Sequence, residues 1–221
     1  MTPRGIIKPP ILLVTVTCRL SIENVETRTL CEEILMSNYI TTYIGKHFEP
    51  SKPDSEKIFI EDIAHALSLI CRGNGHVKNF WSVGQHCIDC AKEALARGLS
   101  KRMALACLLH DACECYMSDI PRPFKKELTE FQAHEKRMLD LIYLKFLGSK
   151  LTEEEYVQLK EIDDAMLWYD LKNLLGELQN EEIPQLHIKP DYTIRPFKDV
   201  ENEYLELFYQ YSETNEATVD I

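Results

Sequence analysis

The sequence contains no long run of lysine and arginine, no apolar stretch of membrane-spanning length, no internal repeat and no low-complexity tract. With Lys plus Arg at 25 against Asp plus Glu at 36, the formal net charge is −11. That balance argues against a protein that grips a long nucleic acid by releasing counterions from its phosphates. It leaves room for a small phosphorylated ligand held by a metal or a few local cations. The apolar run Ile11-Leu12-Leu13-Val14-Thr15-Val16 falls far short of the ~20 residues needed to span a bilayer. Pro9 and Pro10 interrupt its approach, and no small-x-small cleavage site follows. No membrane partner is therefore expected. Residues 1–35 read as an N-terminal extension, either a strand, a loose accessory or a mis-assigned start.

What is present is ample apolar material. Hydrophobic residues make up 45% and charged residues 28% of the 221 positions, the composition of a globular chain with one sizeable core. The eight cysteines could suggest a disulfide framework, but the chain is much longer than the small secreted scaffolds that need one. Most of them also lie in apolar, helix-like stretches where a free thiol behaves as a small hydrophobe. Reduced thiols and a cytoplasmic location are the expectation.

Residues 36–60, rich in Thr, Tyr and Ile and broken by Gly45, Pro50 and Pro53, read as an extended arm or β-hairpin. From there the apolar spacing is helical almost throughout. Helices are expected over residues 61–72, 82–97 (with a Ser82 cap), 100–117, 127–146, 152–178 (opening on the capping box Thr152-Glu-Glu-Glu155) and 198–211. Residues 180–197 read as loop and 214–221 as a tail. No alternation of strand with helix supports a doubly wound sheet, so the fold class is all-α, with about six helices forming a core over 61–213.

Charge and imidazole intrude on these apolar faces at three places. His86 lies in the stripe Val83, His86, Cys90, Ala94; His110-Asp111 ends the most hydrophobic run of the chain; and Asp164 falls in the stripe Val157, Asp164, Leu167, Leu171, Leu174, Leu178. A buried carboxylate must be paired, hydrogen-bonded or metal-bound. Each intrusion alone is compatible with a satisfied core polar residue, but together they are what one divalent cation asks for. Adjacent helical residues diverge by about 100°, so His110 and Asp111 can share an ion only near a helix end or distortion. Glu114 returns to the same side of that helix, and is either an exposed residue or a general acid/base for water at the metal. A thiolate zinc site from Cys87-x-x-Cys90 and Cys113-x-Cys115 is disfavoured, because these thiols fall mid-helix or on different faces.

At these residues the sequence resembles the HD superfamily of metal-dependent phosphohydrolases, in which a lone His, a His-Asp pair and a distant Asp recur in that order. The stretch His110-Asp-Ala-Cys-Glu-Cys-Tyr-Met-Ser-Asp-Ile-Pro-Arg-Pro-Phe-Lys125 is similar to the bacterial 5′-deoxynucleotidase branch, where HDA-x-E runs on to D-[LI]-P-x-P-x-K. The similarity extends over about residues 40–210 and implies an HD-domain helical bundle. It makes His86, His110, Asp111 and Asp164 the metal ligands, with Asp163 a rival to Asp164 that the stripe and the following Ala165-Met166-Leu167 disfavour. It makes Glu114 and Asp111 the catalytic carboxylates, places Asp119 near the substrate sugar and matches Arg72 to a phosphate-binding arginine. Gly73 stands where that branch has tryptophan, which leaves deoxynucleotide selectivity without a basis.

Arg72, Lys78, Arg122 and Lys125 are the candidate phosphate cations. One divalent ion is the expected cofactor: Mn²⁺, Co²⁺, Mg²⁺, Fe²⁺, Ni²⁺ or Zn²⁺. The function expected is hydrolysis of a phosphate monoester of a nucleotide or related small molecule. The alternatives are an HD phosphodiesterase and a non-catalytic nucleotide-binding module. The nucleotidase branch also implies a homodimer.

Overall fold

The structure, a computed structural model, describes residues 37–177 and 182–212. The chain divides between Ser37 and Asn38 into two units, and all but one of the described residues belong to the second. The expectations for 1–35 and 214–221 lie outside the described residues.

The fold is all-α with one small hairpin. Strands β1 (Ile40–Thr41) and β2 (His47–Phe48) pair antiparallel, Ile40 opposite Phe48 and Thr41 opposite His47. Phe48 is the residue that anchors this arm, buried with its ring stacked on Tyr116 at 4.0 Å. Among the described residues eight α-helices follow: α1 (Ile60–Leu69), α2 (Val83–Ala96), α3 (Lys101–Leu108), α4 (Glu114–Met117), α5 (Arg122–Lys125), α6 (Thr129–Leu147), α7 (Glu153–Asp170) and α8 (Phe197–Ser212).

Local chemistry explains most of the boundaries. Ser82 caps α2 in a reciprocal box with Gln85, Ser100 caps α3 by accepting from the Met103 amide, and Thr152 opens α7 in the box with Glu155 that its sequence predicts. The α3 segment is buried along Met103–Leu109 and packs against α2, α6, α7 and α8. It is therefore the centre of the bundle, as its near-continuous apolar character requires. Between α1 and α2 the backbones come close: a Cβ on Gly84 would lie 3.2 Å from the Leu67 carbonyl, so a side chain there would press the two helices apart by a few tenths of an ångström.

Two departures from the periodic reading matter for function. The helix expected over 100–117 ends at Leu108, and a turn over residues 109–113 intervenes before α4 restarts at Glu114. The helix expected to run to 178 changes at Leu171 into a π-helical turn, Leu171–Leu175, closed by Gly176 in the left-handed region. Pro121 and Pro123 open the short α5, where a first-turn proline forfeits no hydrogen bond.

Among the described residues, Cys71, Cys87, Cys90, Cys107, Cys113 and Cys115 are free thiols; Cys18 and Cys31 lie outside them. No helix among the described residues is long and apolar enough to cross a membrane.

Candidate metal centre

The break between α3 and α4 is what assembles the centre. Residues in one continuous helix could not point His110 and Asp111 at a common spot, whereas the turn over 109–113 does so. Its result is a distance of 3.2 Å between His110 Nε2 and Asp111 Oδ2, out of line for a hydrogen bond. From α2 comes His86, whose ring lies 5.2 Å from that of His110, tilted by 55°. From α7 comes Asp163: its Oδ1 is 3.3 Å from His86 Nε2 and 3.8 Å from His110 Nε2.

The ring nitrogens facing away from this cluster are both spoken for. His110 Nδ1 lies 2.7 Å from the Cys107 carbonyl, which only accepts, so Nδ1 carries the proton. His86 Nδ1 donates to Asp170 Oδ2 at 2.9 Å. In the neutral rings each Nε2 is then a lone pair turned toward carboxylate oxygens, that of His86 also meeting the Cys90 thiol at 3.6 Å. Lone pairs of His86 Nε2 and Asp163 Oδ1 at 3.3 Å repel unless a proton or a cation lies with them. Burial depresses the pKa of both imidazoles, yet the surrounding carboxylates more than reverse it and raise both; the site attracts positive charge. His110 Nε2 is buried and has no hydrogen-bond partner.

Three pairs of this set, His110 with Asp111, His86 with Asp163 and His110 with Asp163, stand 3.2–3.8 Å apart, close to the roughly 3.0–3.4 Å between ligands bound to one ion at ~2.0–2.1 Å. Thiols also approach. His86, Cys90 and His110 offer donor atoms within 4.8 Å of one another, as do Cys87, His110 and Asp111. Burial pushes the Cys87 and Cys90 thiols above their ordinary range; at Cys87 the neighbouring His110 pulls the other way without reversing it, and at Cys90 Asp163 adds to the rise. The carboxylates are the better anionic donors. Among the described residues, no such group contains Cys113 or Cys115.

Asp164, expected among the ligands, stands outside the cluster. Asp164 points outward with its side chain 50% exposed, paired with Arg122 at 2.7 Å and with Lys160, whereas Asp163 is 14% exposed and inside the cluster. The expected core stripe through Val157 and Asp164 is out of phase: Val157 is exposed, and the buried positions of α7 are Leu159, Ile162, Ala165, Met166, Trp168 and Asp170. Of the other members of that stripe, Leu167 and Leu171 are half-buried and Leu174, within the π turn, is buried.

Two bacterial proteins are similar to this chain. It is 29% identical over 181 residues to a protein of Escherichia coli (strain K12) named "Uncharacterized protein YfdR", which covers 77% of this chain and 97% of the relative. It is 32% identical over 154 residues to "Uncharacterized protein RCAP_rcc00048" of Rhodobacter capsulatus, covering 66% of this chain and 78% of that one. The chain is a member of the RCAP_rcc00048 family. No family model matches, and neither relative's name states an activity.

Around the four donors the other predicted residues divide. Glu114, first residue of α4, is buried, and its Oε2 has no hydrogen-bond partner. Burial, then Asp111 and Asp119, drive its pKa well above the usual carboxylate range against the opposing pull of Arg72 and Lys125. Asp111 goes the other way: burial disfavours its charge, but His110, His86 and Arg72 prevail and lower it. Arg72 enters from the loop between α1 and α2, where Gly73 takes φ 57° and Asn74 φ 52°. That loop is closed by the Arg72 amide donating to the Trp81 carbonyl at 2.8 Å. The Arg72 guanidinium lies 3.7 Å from Asp111 and 3.4 Å from Asp170. Asp119 is within its electrostatic reach.

Arg122 is engaged differently from expectation. It forks onto Asp163 Oδ2 at 2.5 Å and Asp164 Oδ1 at 2.7 Å, bracing a donor rather than standing free for phosphate. Lys125 pairs with Glu135 at 2.6 Å. Lys78 is exposed with its ammonium against Gly176 and joins no contact with the four donors. Asp170 escaped the sequence reading. The signal that could have found it is its spacing of seven from Asp163, which puts both on one helix face.

Proposed function

We propose that this chain is an HD-superfamily phosphohydrolase, dependent on one divalent metal ion held by His86, His110, Asp111 and Asp163, that cleaves a phosphate monoester of a nucleotide or related small molecule. The observation that carries the reading is the buried meeting of two imidazole Nε2 atoms with two carboxylates, both Nδ1 atoms being occupied as donors. When bound, such an ion supplies Lewis-acid stabilisation of a phosphate oxygen and lowers the pKa of water toward neutrality.

The chain's own residues do the rest. Arg72 offers a planar cation beside Asp111 for phosphate oxygens. Glu114 Oε2, buried and unpartnered, is positioned to hold a proton and exchange it with water or with the leaving alkoxide. Its burial and its neighbour Asp111 favour the protonated form, which suits delivery of a proton to the departing oxygen. Arg122 holds the outer oxygen of Asp163, leaving Oδ1 for the donor cluster. Asp119, in electrostatic range of Arg72 and Glu114, would be the residue to meet the substrate sugar.

The test is phosphate release from a nucleotide panel by protein stripped with EDTA and supplied with Mn²⁺, Co²⁺ or Mg²⁺. Metal-dependent release supports the reading; a product that retains a phosphate monoester assigns a diesterase instead, and a blank panel with metal bound makes the chain a binding module. Glu114→Gln is expected to keep metal stoichiometry and lower kcat by about 10²–10⁴-fold, the usual contribution of a positioned acid/base. Full turnover in that variant removes Glu114 from the mechanism.

A further inference from the structure

Asp170 is the last residue of α7, buried, with both oxygens in use. Its Oδ2 accepts from His86 Nδ1 at 2.9 Å and from Arg72 at 3.4 Å, and its Oδ1 accepts from the Tyr192 hydroxyl at 3.0 Å. Tyr192 comes from the segment between α7 and α8, and its ring packs 5.0 Å from that of Trp81. The Trp81 carbonyl in turn closes the Arg72 loop. One carboxylate therefore joins a donor histidine, the arginine beside Asp111 and an otherwise separate stretch of chain.

Resting on the metal reading above, we infer that Asp170 is a positioning residue. It holds His86 in the Nδ1–H tautomer, so that Nε2 faces the donor cluster, and it tethers Arg72 alongside. Only an anion accepts from three donors at once here. A histidine whose far nitrogen donates to a carboxylate is oriented and made a stronger base toward a cation, and losing such a partner typically weakens metal affinity by roughly 10–100-fold. Tyr192 shares the same carboxylate and so moderates the charge that His86 meets.

The experiment uses full-length protein loaded with Zn²⁺ and labelled with ¹⁵N-histidine, the His86 resonance being assigned by its loss in His86→Gln. Asp170→Asn keeps the shape but removes the charge. Zn²⁺ affinity, measured by chelator competition, is expected to fall by about 10–100-fold, and the His86 Nδ1–H resonance to move upfield as its acceptor weakens. Tyr192→Phe removes one competing donor, so the same resonance is expected to move downfield. A residue that merely packs the helix end would move neither signal. Unchanged affinity and an unmoved resonance in Asp170→Asn overturn the inference; where that variant does not fold, an unmoved resonance in Tyr192→Phe does so. Wild-type protein that binds no Zn²⁺ removes the metal reading itself, whereas Zn²⁺ binding indifferent to residue 170 removes only the role of Asp170.

Discussion

Asp163 and Asp164 stand side by side on α7, share Arg122 and Lys160 as partners, and face different solvents. Asp164 spends its charge in water, where an exposed ion pair is worth about 0–1 kcal/mol. Asp163 faces two imidazoles inside the bundle, where an unmatched carboxylate costs several kcal/mol. The two residues should therefore separate cleanly in a binding experiment. Asp163→Ala is expected to weaken Zn²⁺ or Mn²⁺ binding by at least about 100-fold, since removing a donor exceeds the loss seen for outer partners. Asp164→Ala is expected to stay within a few-fold of wild type. Isothermal titration of both variants decides it, and the reverse order would return the ligand to Asp164. That a carboxylate from this stretch of α7 joins the two histidines was legible in the sequence; which of two neighbours does so depended on helix phase.

At the scale of elements, phase is set by how turns close. The π turn after Asp170 ends the α-helical register of α7, and no residue type in Leu171–Leu175 announces that. The break after α3 was half legible. Sharing an ion between His110 and Asp111 demanded a distortion there, yet the apolar run itself reads as one helix.

A third element-scale feature is the pin that Glu93, near the end of α2, places on the segment before α8. Its buried carboxylate accepts from Arg97 at 2.7 Å and from the amides of His187 at 2.9 Å and Ile188 at 3.0 Å. Burial opposes the charge of Glu93, but these donors outweigh it and hold the pKa below the ordinary 4.5. A depressed carboxylate adds stability that is present above its unfolded pKa and lost as pH falls through the folded value. Glu93→Gln is therefore expected to cost about 1–3 kcal/mol at pH 7, with the gap to wild type narrowing as the solution is acidified below 4.5. Urea melts at both pH values measure it; a gap that does not change with pH refutes the account.

For the whole molecule, the centre draws donors from α2, the α3–α4 turn and α7, so a bound ion ties together the packed middle of the bundle. Ligand that binds only the folded chain stabilises it by about 2.7 kcal/mol at one hundred times its Kd. For a chain of this size about 1 kcal/mol shifts Tm by roughly 2–4 °C. Removing metal with EDTA is therefore expected to lower Tm by about 5–10 °C, and restoring Mn²⁺ or Zn²⁺ to recover it. Asp164→Ala should keep that response and Asp163→Ala should lose it. A melting curve indifferent to EDTA and added metal in wild type speaks against a centre of this kind.

By itself the sequence determined the all-α class, the capped starts of α2 and α7, the central burial of α3 and the convergence of His86, His110 and Asp111, because apolar spacing, cap residues and misplaced polar groups are local signals carried by residue type. Only the tertiary structure decided that Asp163 rather than Asp164 enters the cluster, that Arg122 braces it, that Lys78 lies away at Gly176 and that Asp170 joins His86 to Tyr192. Those outcomes turn on a rotation of one residue about a helix axis, or on contacts between positions 22 to 98 residues apart. Neither is written in any short stretch of the chain.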